Sequence, residues 1–235
     1  MYAAYLKRPI DFVLSIVALI LLSPVMLVLT VVGAVVMGGN PFFMQIRPGK
    51  GEKLFKLVKF RSMTNRRDKN GNLLPDDQRL TPYGKMLRST SLDELPELWN
   101  ILRGEMSVVG PRPQLVRDMV FMTDEQRMRH SVRQGLTGLA QVNGRNNLTW
   151  ENKLSYDLQY IEKITFWGDL KIILLTVKKV LIRDGISAEG STTAEDYGDY
   201  LLRTGAVSQD EYDFRQKEAE ELLGDYYGQI QRVVV

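Results

Sequence analysis

The amino-acid sequence predicts a mixed α/β protein. An N-terminal membrane helix should precede a small membrane-associated globular domain of amphipathic helices and a small sheet. Three observations support this prediction. Residues 12–37 contain no charged side chain and are mostly aliphatic. Residues 53–63 are rich in residues that favour strands, and residues 150–164 and 166–183 repeat apolar side chains at helical spacing. We expect three parts, which are a membrane helix over 1–39, a globular domain over 40–191 and an acidic helical hairpin over 192–235.

Charge is divided unevenly along the 235 residues. Residues 192–235 carry ten acidic and four basic side chains, a net charge of −6, so the remainder carries 27 basic and 18 acidic, a net charge of +9. A basic body favours a phosphorylated substrate, an anionic membrane surface or a nucleic acid as partner. The chain has no cysteine and one histidine, His130, which excludes thiol chemistry and disulfides and argues against a His-rich metal site. A metal would need oxygen ligands, which Mg²⁺ prefers.

The apolar run is long enough to cross a bilayer as one helix. Ser23 and Pro24 lie at its middle, where proline removes a helical hydrogen bond and favours a kink. Basic residues flank both ends, and a re-entrant helix would keep both flanks on the cytoplasmic side, whereas a single crossing would not. Because proline also occurs in spanning helices, the residues alone leave spanning and re-entry open.

Local signals predict the elements of the globular domain in chain order. Prolines and glycines over 40–51 indicate a turn-rich connector, 53–63 a short strand, and 65–78 a polar excursion or hairpin. Further along we expect a helix over 93–102 ended by Arg103-Gly104, a rigid turn at 111–113, a short helix over 124–129 and a loop around a short strand over 135–144.

The predicted helix over 166–183 has an apolar face flanked by lysines, which fits either a protein core or a membrane interface. In the acidic extension, a capping box from Ser208 to Glu211 and a turn at 204–206 predict a helical hairpin over 199–223. We expect this hairpin to pack against the body or to form a homo-oligomer, and not to carry chemistry.

Asp93 and Glu94 are the candidate chemical centre. Ser91 and Glu94 fit a Ser-x-x-Glu capping box, which would place both carboxylates in the first turn of a helix, between Arg88 and Arg112. A helix start favours bound phosphate. Two carboxylates beside phosphate-seeking arginines fit a site in which a divalent cation bridges them and one carboxylate attacks phosphorus. The alternative is a solvated acidic turn without chemistry.

Seven motifs follow one another along the chain, and together they resemble the bacterial sugar transferase family, the small monotopic phosphoglycosyl transferases. The likeness covers about residues 5–191. Gln134 departs from it, because the family usually has proline there, and the extension lies outside it. The motifs are Lys7-Arg8-x-x-Asp11, Ser23-Pro24, Gln45-x-Arg47-Pro48-Gly49, Lys59-Phe60-Arg61-Ser62-Met63, Arg88-x-x-Ser91-Leu92-Asp93-Glu94-Leu95-Pro96, Gly110-Pro111-Arg112-Pro113 and Gly138-x-Ala140-Gln141-Val142-Asn143-Gly144-Arg145.

The resemblance implies an enzyme of the bacterial inner membrane, with a re-entrant helix kinked at Ser23-Pro24 and an active site on the cytoplasmic face. Such an enzyme transfers a phosphosugar from a UDP-sugar to undecaprenyl phosphate and releases UMP, as a first membrane step of glycan assembly. By position, Asp93 would be the nucleophile that forms an aspartyl-phosphosugar intermediate, and Glu94 would hold Mg²⁺. The residues that would bind the substrate are Lys59, Arg88, Arg112 and Arg145.

Residues 143–146 with Trp150 resemble members that handle N-acetylated UDP-sugars. The alternative function is a membrane-anchored scaffold that binds anionic lipid or nucleic acid without catalysis. The basic residues are scattered and form no recognised DNA or RNA motif, and Asp93 and Glu94 would repel phosphate without a metal. We therefore expect no nucleic-acid partner.

Overall fold

A computed structural model describes residues 1–144, 148–182 and 195–233. Two small two-stranded sheets are surrounded by helices, as expected for a mixed α/β domain with little sheet. The strands are β1 (Phe42–Pro48), β2 (Leu54–Phe60), β3 (Met106–Val109) and β4 (Gln134–Thr137). The α-helices are α1 (Lys7–Met37), α2 (Asp76–Arg79), α3 (Pro82–Thr90), α4 (Glu97–Arg103), α5 (Val116–Met119), α6 (Asp124–Arg127), α7 (Leu139–Asn143), α8 (Trp150–Glu162), α9 (Phe166–Ile182), α10 (Tyr197–Arg203) and α11 (Gln209–Val233).

The sheets join distant parts of the chain. β1 and β2 are antiparallel, with Phe42 opposite Phe60 and Pro48 opposite Leu54, so the predicted strand over 53–63 is confirmed at its centre. β3 and β4 are parallel, with Met106 opposite Gln134. Bridges between Met63 and Leu80 and between Arg67 and Leu73 confirm the polar hairpin that follows β2.

Three local predictions were wrong. The stretch over 40–51, predicted as a turn-rich connector, contains the strand β1, because its residues pair with β2 along their whole length. The predicted helix over 93–102 begins later, because Asp93 lies in a 3₁₀ turn (Leu92–Glu94) and α4 starts only at Glu97. Ser91 ends α3 with a left-handed φ of 57° and so lacks the extended backbone that an N-cap residue adopts. The stretch over 135–144, predicted as a loop around a strand, contains the end of β4 and the whole of α7. The predicted end of α4 at Arg103-Gly104 is confirmed.

Two features, the helix α1 and the C-terminal hairpin, position the candidate site around Asp93 and Glu94. The helix α1 is the first. With the π-helical turn before it, it forms a continuous helix (Tyr2–Met37) that contains an 18-residue stretch of mean hydropathy 2.9, is long enough to cross a membrane, and continues through Pro24. Its N-terminal half is tied to the globular domain by buried polar contacts. Arg8 donates to the carbonyls of Ile101 (2.6 Å) and Leu102 (2.8 Å), which caps the end of α4.

The same helix remains in contact with the domain well past its middle. Asp11 is buried and accepts a hydrogen bond from the hydroxyl of Ser107 (2.5 Å). In the other half, the hydroxyl of Tyr83 donates to the carbonyl of Leu29 (2.8 Å), and Gly33 lies against the same tyrosine. Both halves of α1 therefore contact one globular body.

The C-terminal hairpin is the second feature. The predicted turn and cap are confirmed: Gly205 has a left-handed φ of 73° and the Ser208 hydroxyl accepts from the Glu211 N–H. The hairpin packs against the body, with Tyr197 of α10 and Ala219 of α11 buried in one apolar cluster beside Trp150 and Phe121. The structure thus supports the packing role, whereas a homo-oligomer stays a prediction.

We expect Gly84→Ala to lower the free energy of unfolding by about 1–3 kcal/mol, the range for overpacking. A Cβ at Gly84 in α3 would lie 1.9 Å from the carbonyl oxygen of Ser62, so the backbone must shift. Thermal unfolding in detergent measures the change. Gly224→Ala in α11 is the matched control, because its Cβ meets no described atom within 4 Å and should be neutral or slightly stabilising. Equal stability of both variants would contradict the prediction.

Candidate active site

An open cavity of about 1720 Å³ lies between α1, the 3₁₀ turn Leu92–Glu94 and the N-terminal end of α8. Asp93 and Glu94 line it, together with Lys59 of β2, Arg88 of α3 and Arg112 of the Pro-Arg-Pro turn. The structure thus brings together every predicted site residue that it describes, apart from Ser23 and Pro24, which lie in α1. Arg145, predicted to bind substrate, lies outside the described residues.

Glu94 is the centre of an ion-pair network. One carboxylate oxygen, Oε1, accepts from Lys59 Nζ at 2.8 Å and from Arg112 Nη2 at 2.6 Å. Lys59 also contacts Glu97 Oε1 at 3.0 Å. Burial opposes ionisation of Glu94, but the charges of Arg112 and Lys59 outweigh it and hold the pKa of this carboxyl well below its usual range. Glu94 is therefore a fixed anion at neutral pH.

Asp93 has a different environment from its neighbour. Burial and the adjacent charge of Glu94 raise the pKa of Asp93 to about 6. The nearby Lys59, Arg112 and Arg88 act in the other direction, so the carboxylate form still predominates at neutral pH. A carboxylate with this raised pKa is more basic than an exposed aspartate, as suits a nucleophile. The two adjacent carboxylates thus differ in basicity, and Asp93 is the more basic of the two.

The sequence prediction missed two residues of this network. Glu97 is buried, and burial raises its pKa to about 7 despite the contact with Lys59. It follows Glu94 by three residues, a spacing that puts side chains on one side of a helical turn. Ser62 accepts from Arg88 Nε at 3.0 Å and so orients the guanidinium. This serine belongs to the motif after Lys59, but the sequence does not reveal its partner.

The described carboxylates fit Mg²⁺ as a partly protein-bound ion. Within residues 1–144, 148–182 and 195–233, no group of three or more acidic or histidine side chains forms a metal cluster. Magnesium typically uses one or two carboxylates and completes its shell with substrate phosphate and water. Lys59 and Arg112 both donate to Oε1 of Glu94, so Oε2 would be the oxygen available to the metal.

A buried ion pair holds the backbone at Arg112 in place. Arg129 is fully buried and donates to the carboxylate of Asp157 in α8 at 2.9 Å and 2.7 Å. The same guanidinium donates to the backbone carbonyl of Arg112 at 2.5 Å. Arg129 is thus a positioning residue, because it fixes the backbone from which Arg112 reaches Glu94.

His130 next to it makes stability depend on pH. Burial and the charge of Arg129 lower the pKa of His130 to about 3, against about 6.5 when unfolded. The unfolded state therefore binds the proton more tightly, and stability present above pH 6.5 falls as the pH drops toward 3. Below about pH 5.5 we expect His130 to contribute a loss of about 1.4 kcal/mol per pH unit, opposed by Asp93 and Glu97, whose raised pKa values favour the folded state as the pH falls. His130→Gln should remove this contribution, so the difference in thermal stability between the variant and the wild type should change with pH, and a difference that is independent of pH would contradict the assignment.

Comparison with known families assigns the chain. Residues 2–183 match the family model described as bacterial sugar transferase. The chain belongs to the bacterial sugar transferase family. This match contains the complete ion-pair network of Glu94 and both supporting residues, Arg129 and Asp157. It ends before α10 and α11, which agrees with the extent of the resemblance seen in the motifs.

Curated relatives carry names from the same family. The chain is 46% identical over 190 residues to an uncharacterized sugar transferase, EpsL of Bacillus subtilis, covering 81% of this chain and 94% of the relative. It is 44% identical over 186 residues to UDP-glucose:undecaprenyl-phosphate glucose-1-phosphate transferase of Klebsiella pneumoniae, covering 75% of this chain and 40% of that protein. Undecaprenyl-phosphate galactose phosphotransferase of Salmonella typhimurium is 38% identical over 199 residues, covering 77% and 41% respectively. The chain thus spans less than half of the last two proteins.

Proposed function

We propose that this protein transfers a phosphosugar from a UDP-sugar to undecaprenyl phosphate and releases UMP, through a covalent intermediate on Asp93. One observation supports it most strongly: the carboxylate of Asp93 lines the same cavity as the anion Glu94, which is held by Lys59 and Arg112, and the apolar helix α1 borders this cavity. The name of the Klebsiella relative gives both substrate classes, and the name of the Salmonella relative gives undecaprenyl phosphate with galactose.

The proposed chemistry has two steps. Oδ of Asp93 attacks the sugar-linked phosphorus, the bond to the bridging oxygen breaks, and UMP leaves with that oxygen. A phosphate oxygen of the lipid then attacks the same phosphorus, which restores the Asp93 carboxylate and yields a polyprenyl diphosphate sugar. Arg88 and Arg112 can grip phosphate oxygens bidentately and offset the charge that develops on them. Glu94 would hold Mg²⁺, which when bound would add charge neutralisation on the diphosphate.

The contacts of α1 support a re-entrant helix. From Arg8 to Gly33 the helix touches one globular body over about 39 Å, at 1.5 Å per residue. A spanning helix would carry one end through about 30 Å of hydrocarbon, away from a domain on one side. We propose that α1 bends at Ser23-Pro24 within one leaflet and that exposed side chains such as Leu21 and Leu27 meet lipid. Basic flanks on both sides favour the cytoplasmic face of the inner membrane.

UMP release from a panel of UDP-sugars tests this function. The detergent-solubilised protein is incubated with Mg²⁺, undecaprenyl phosphate and, in turn, UDP-glucose, UDP-galactose or their N-acetylated analogues. We expect multiple turnovers only when the lipid is present, with an N-acetylated sugar preferred, as Asn143 and its neighbours suggest. Omission of Mg²⁺ should abolish turnover. If the folded protein released no nucleotide from any nucleotide sugar, the result would favour the alternative, a non-catalytic scaffold that binds anionic lipid.

A further inference from the structure

The C-terminal extension forms a wall of the catalytic cavity. Glu195, Asp196, Tyr200 and Arg203 line the same cavity as Asp93 and Glu94. These four residues lie beyond the part of the chain that matches the family, which ends at residue 183. A segment outside the family pattern therefore meets the space into which the substrates must bind.

Contacts with the body fix this wall in place. The indole N–H of Trp150 donates to the carbonyl of Glu195 at 3.1 Å, and the backbone N–H of Tyr197 donates to Asp118 at 2.9 Å. The rings of Trp150 and Tyr197 lie 4.9 Å apart, and Arg117 forms an ion pair with Asp196. Because Trp150, Asp118 and Tyr197 are buried, the wall is built into the core instead of resting on the surface.

The wall offers a flat, polarised surface. The guanidinium of Arg203 lies 5.5 Å from the centre of the Tyr200 ring and donates two hydrogen bonds to the carboxylate of Glu195, at 2.7 Å and 2.8 Å. The Tyr200 hydroxyl donates to Glu151 at 2.6 Å, which sets the ring. Aromatic rings and guanidinium planes are the side chains on which nucleobases stack.

Lys153 of α8 lines the cavity between this surface and Arg112, one of the arginines expected to bind phosphate. Its ammonium lies 4.9 Å from the Trp150 ring. It is near enough to Arg112 for their charges to repel, and burial and this repulsion lower its pKa. By contrast, most of the residues contributed by α1 and α9, among them Ala18, Leu22 and Val177, are apolar and suit a lipid chain, with Thr176 and Lys179 of α9 as the polar exceptions.

We infer that α10 and the start of α8 form the subsite for the nucleoside monophosphate half of the donor. Arg203, supported from behind by the Tyr200 ring, which in turn stacks on Tyr197, forms the platform for the base, and Lys153 contacts the phosphate next to the nucleoside. The extension is thus a specificity element, whereas the sequence had suggested packing or self-association only. The inference rests on the proposed function, since it presumes a UDP-sugar donor.

Binding of UMP tests the subsite without turnover. Equilibrium dialysis of labelled UMP against the full-length solubilised protein should give a dissociation constant about tenfold higher for Tyr200→Leu and for Arg203→Gln, as expected for loss of one stacking contact. With an active UDP-sugar, the KM should rise by a similar factor while kcat changes little. Tyr227→Leu and Arg215→Gln are matched controls on α11, outside the cavity, and should bind UMP as the wild type does.

The outcomes separate the inference from the proposed function. Wild-type turnover with unchanged UMP binding in both α10 variants would overturn the subsite and leave the function intact. Absence of both UMP binding and turnover in the wild type would overturn the function itself. The Arg203 side chain is 62% exposed, so Arg203→Gln should fold normally. Near-ultraviolet circular dichroism of the α10 variants checks that the Trp150 environment is preserved, so a binding loss can be assigned to the platform.

Discussion

Asp93→Asn should abolish turnover, lowering kcat by at least about four powers of ten, as removal of a covalent nucleophile does. The amide has nearly the same shape, so the cavity and the Glu94 network should remain. An NH₂ group replaces one carboxylate oxygen, so the side chain is neutral. The oxygen that remains is too weak a nucleophile to attack phosphorus at a useful rate. UMP release with the preferred UDP-sugar measures the loss.

The control for this variant is Asp210→Asn, which removes the charge of an aspartate at the exposed start of α11 and should leave turnover unchanged. Asp93→Asn should also keep the wild-type thermal stability within about 0.5 kcal/mol or gain slightly, since it relieves the repulsion from Glu94. Activity of the Asp93 variant within a hundredfold of the wild type would show that another group is the nucleophile.

Arg129→Met should lower the free energy of unfolding by about 3–5 kcal/mol, the cost of leaving a buried charge without its partner. The side chains of Arg129 and Asp157 are 0% and 3% exposed, so water cannot replace the lost contact. Activity should fall too, because the Arg112 carbonyl loses the donor that fixes its turn. Chemical or thermal unfolding in detergent measures the first effect, and the KM for the UDP-sugar the second.

A double variant separates charge burial from packing. Arg129→Met with Asp157→Leu removes both charges, so much of the lost stability should return, whereas the high KM should persist because Arg112 remains unsupported. Arg103→Met, on the exposed end of α4, should change stability by less than about 0.5 kcal/mol. If the double variant were no more stable than Arg129→Met, the unpaired charge of Asp157 would not be the cause of the loss.

Much of this architecture could be predicted from the sequence because its signals are local. An uncharged run of 26 residues, 12–37, specifies the long helix α1, and glycine at position 104 or 205 specifies where a helix stops. The site residues could be named because they lie in compact motifs. Asp93 and Glu94 are adjacent, and the two arginines flank them within the same stretch of chain.

Prediction from the sequence failed where two neighbouring elements compete for one residue, and where residues far apart in the chain come into contact. The predicted capping box at Ser91 was wrong because Ser91 ends α3 with a left-handed backbone conformation. An N-cap residue of the next helix would need an extended backbone conformation. The pairing of Lys59 with Glu94 and Glu97 joins positions 35 or more residues apart. The contact of α10 with the cavity depends on Trp150 and Asp118, which no pattern in the extension reveals.

Intact-mass spectrometry of the protein after brief incubation with its UDP-sugar, without lipid, tests the central claim most directly. We predict that the chain gains the mass of one sugar phosphate, that fragmentation places it on Asp93, and that undecaprenyl phosphate removes it. The adduct should be absent from Asp93→Asn. Rapid lipid-dependent UMP release by a protein that never gains this mass under any quench condition would contradict the account, because transfer would then pass directly from donor to lipid.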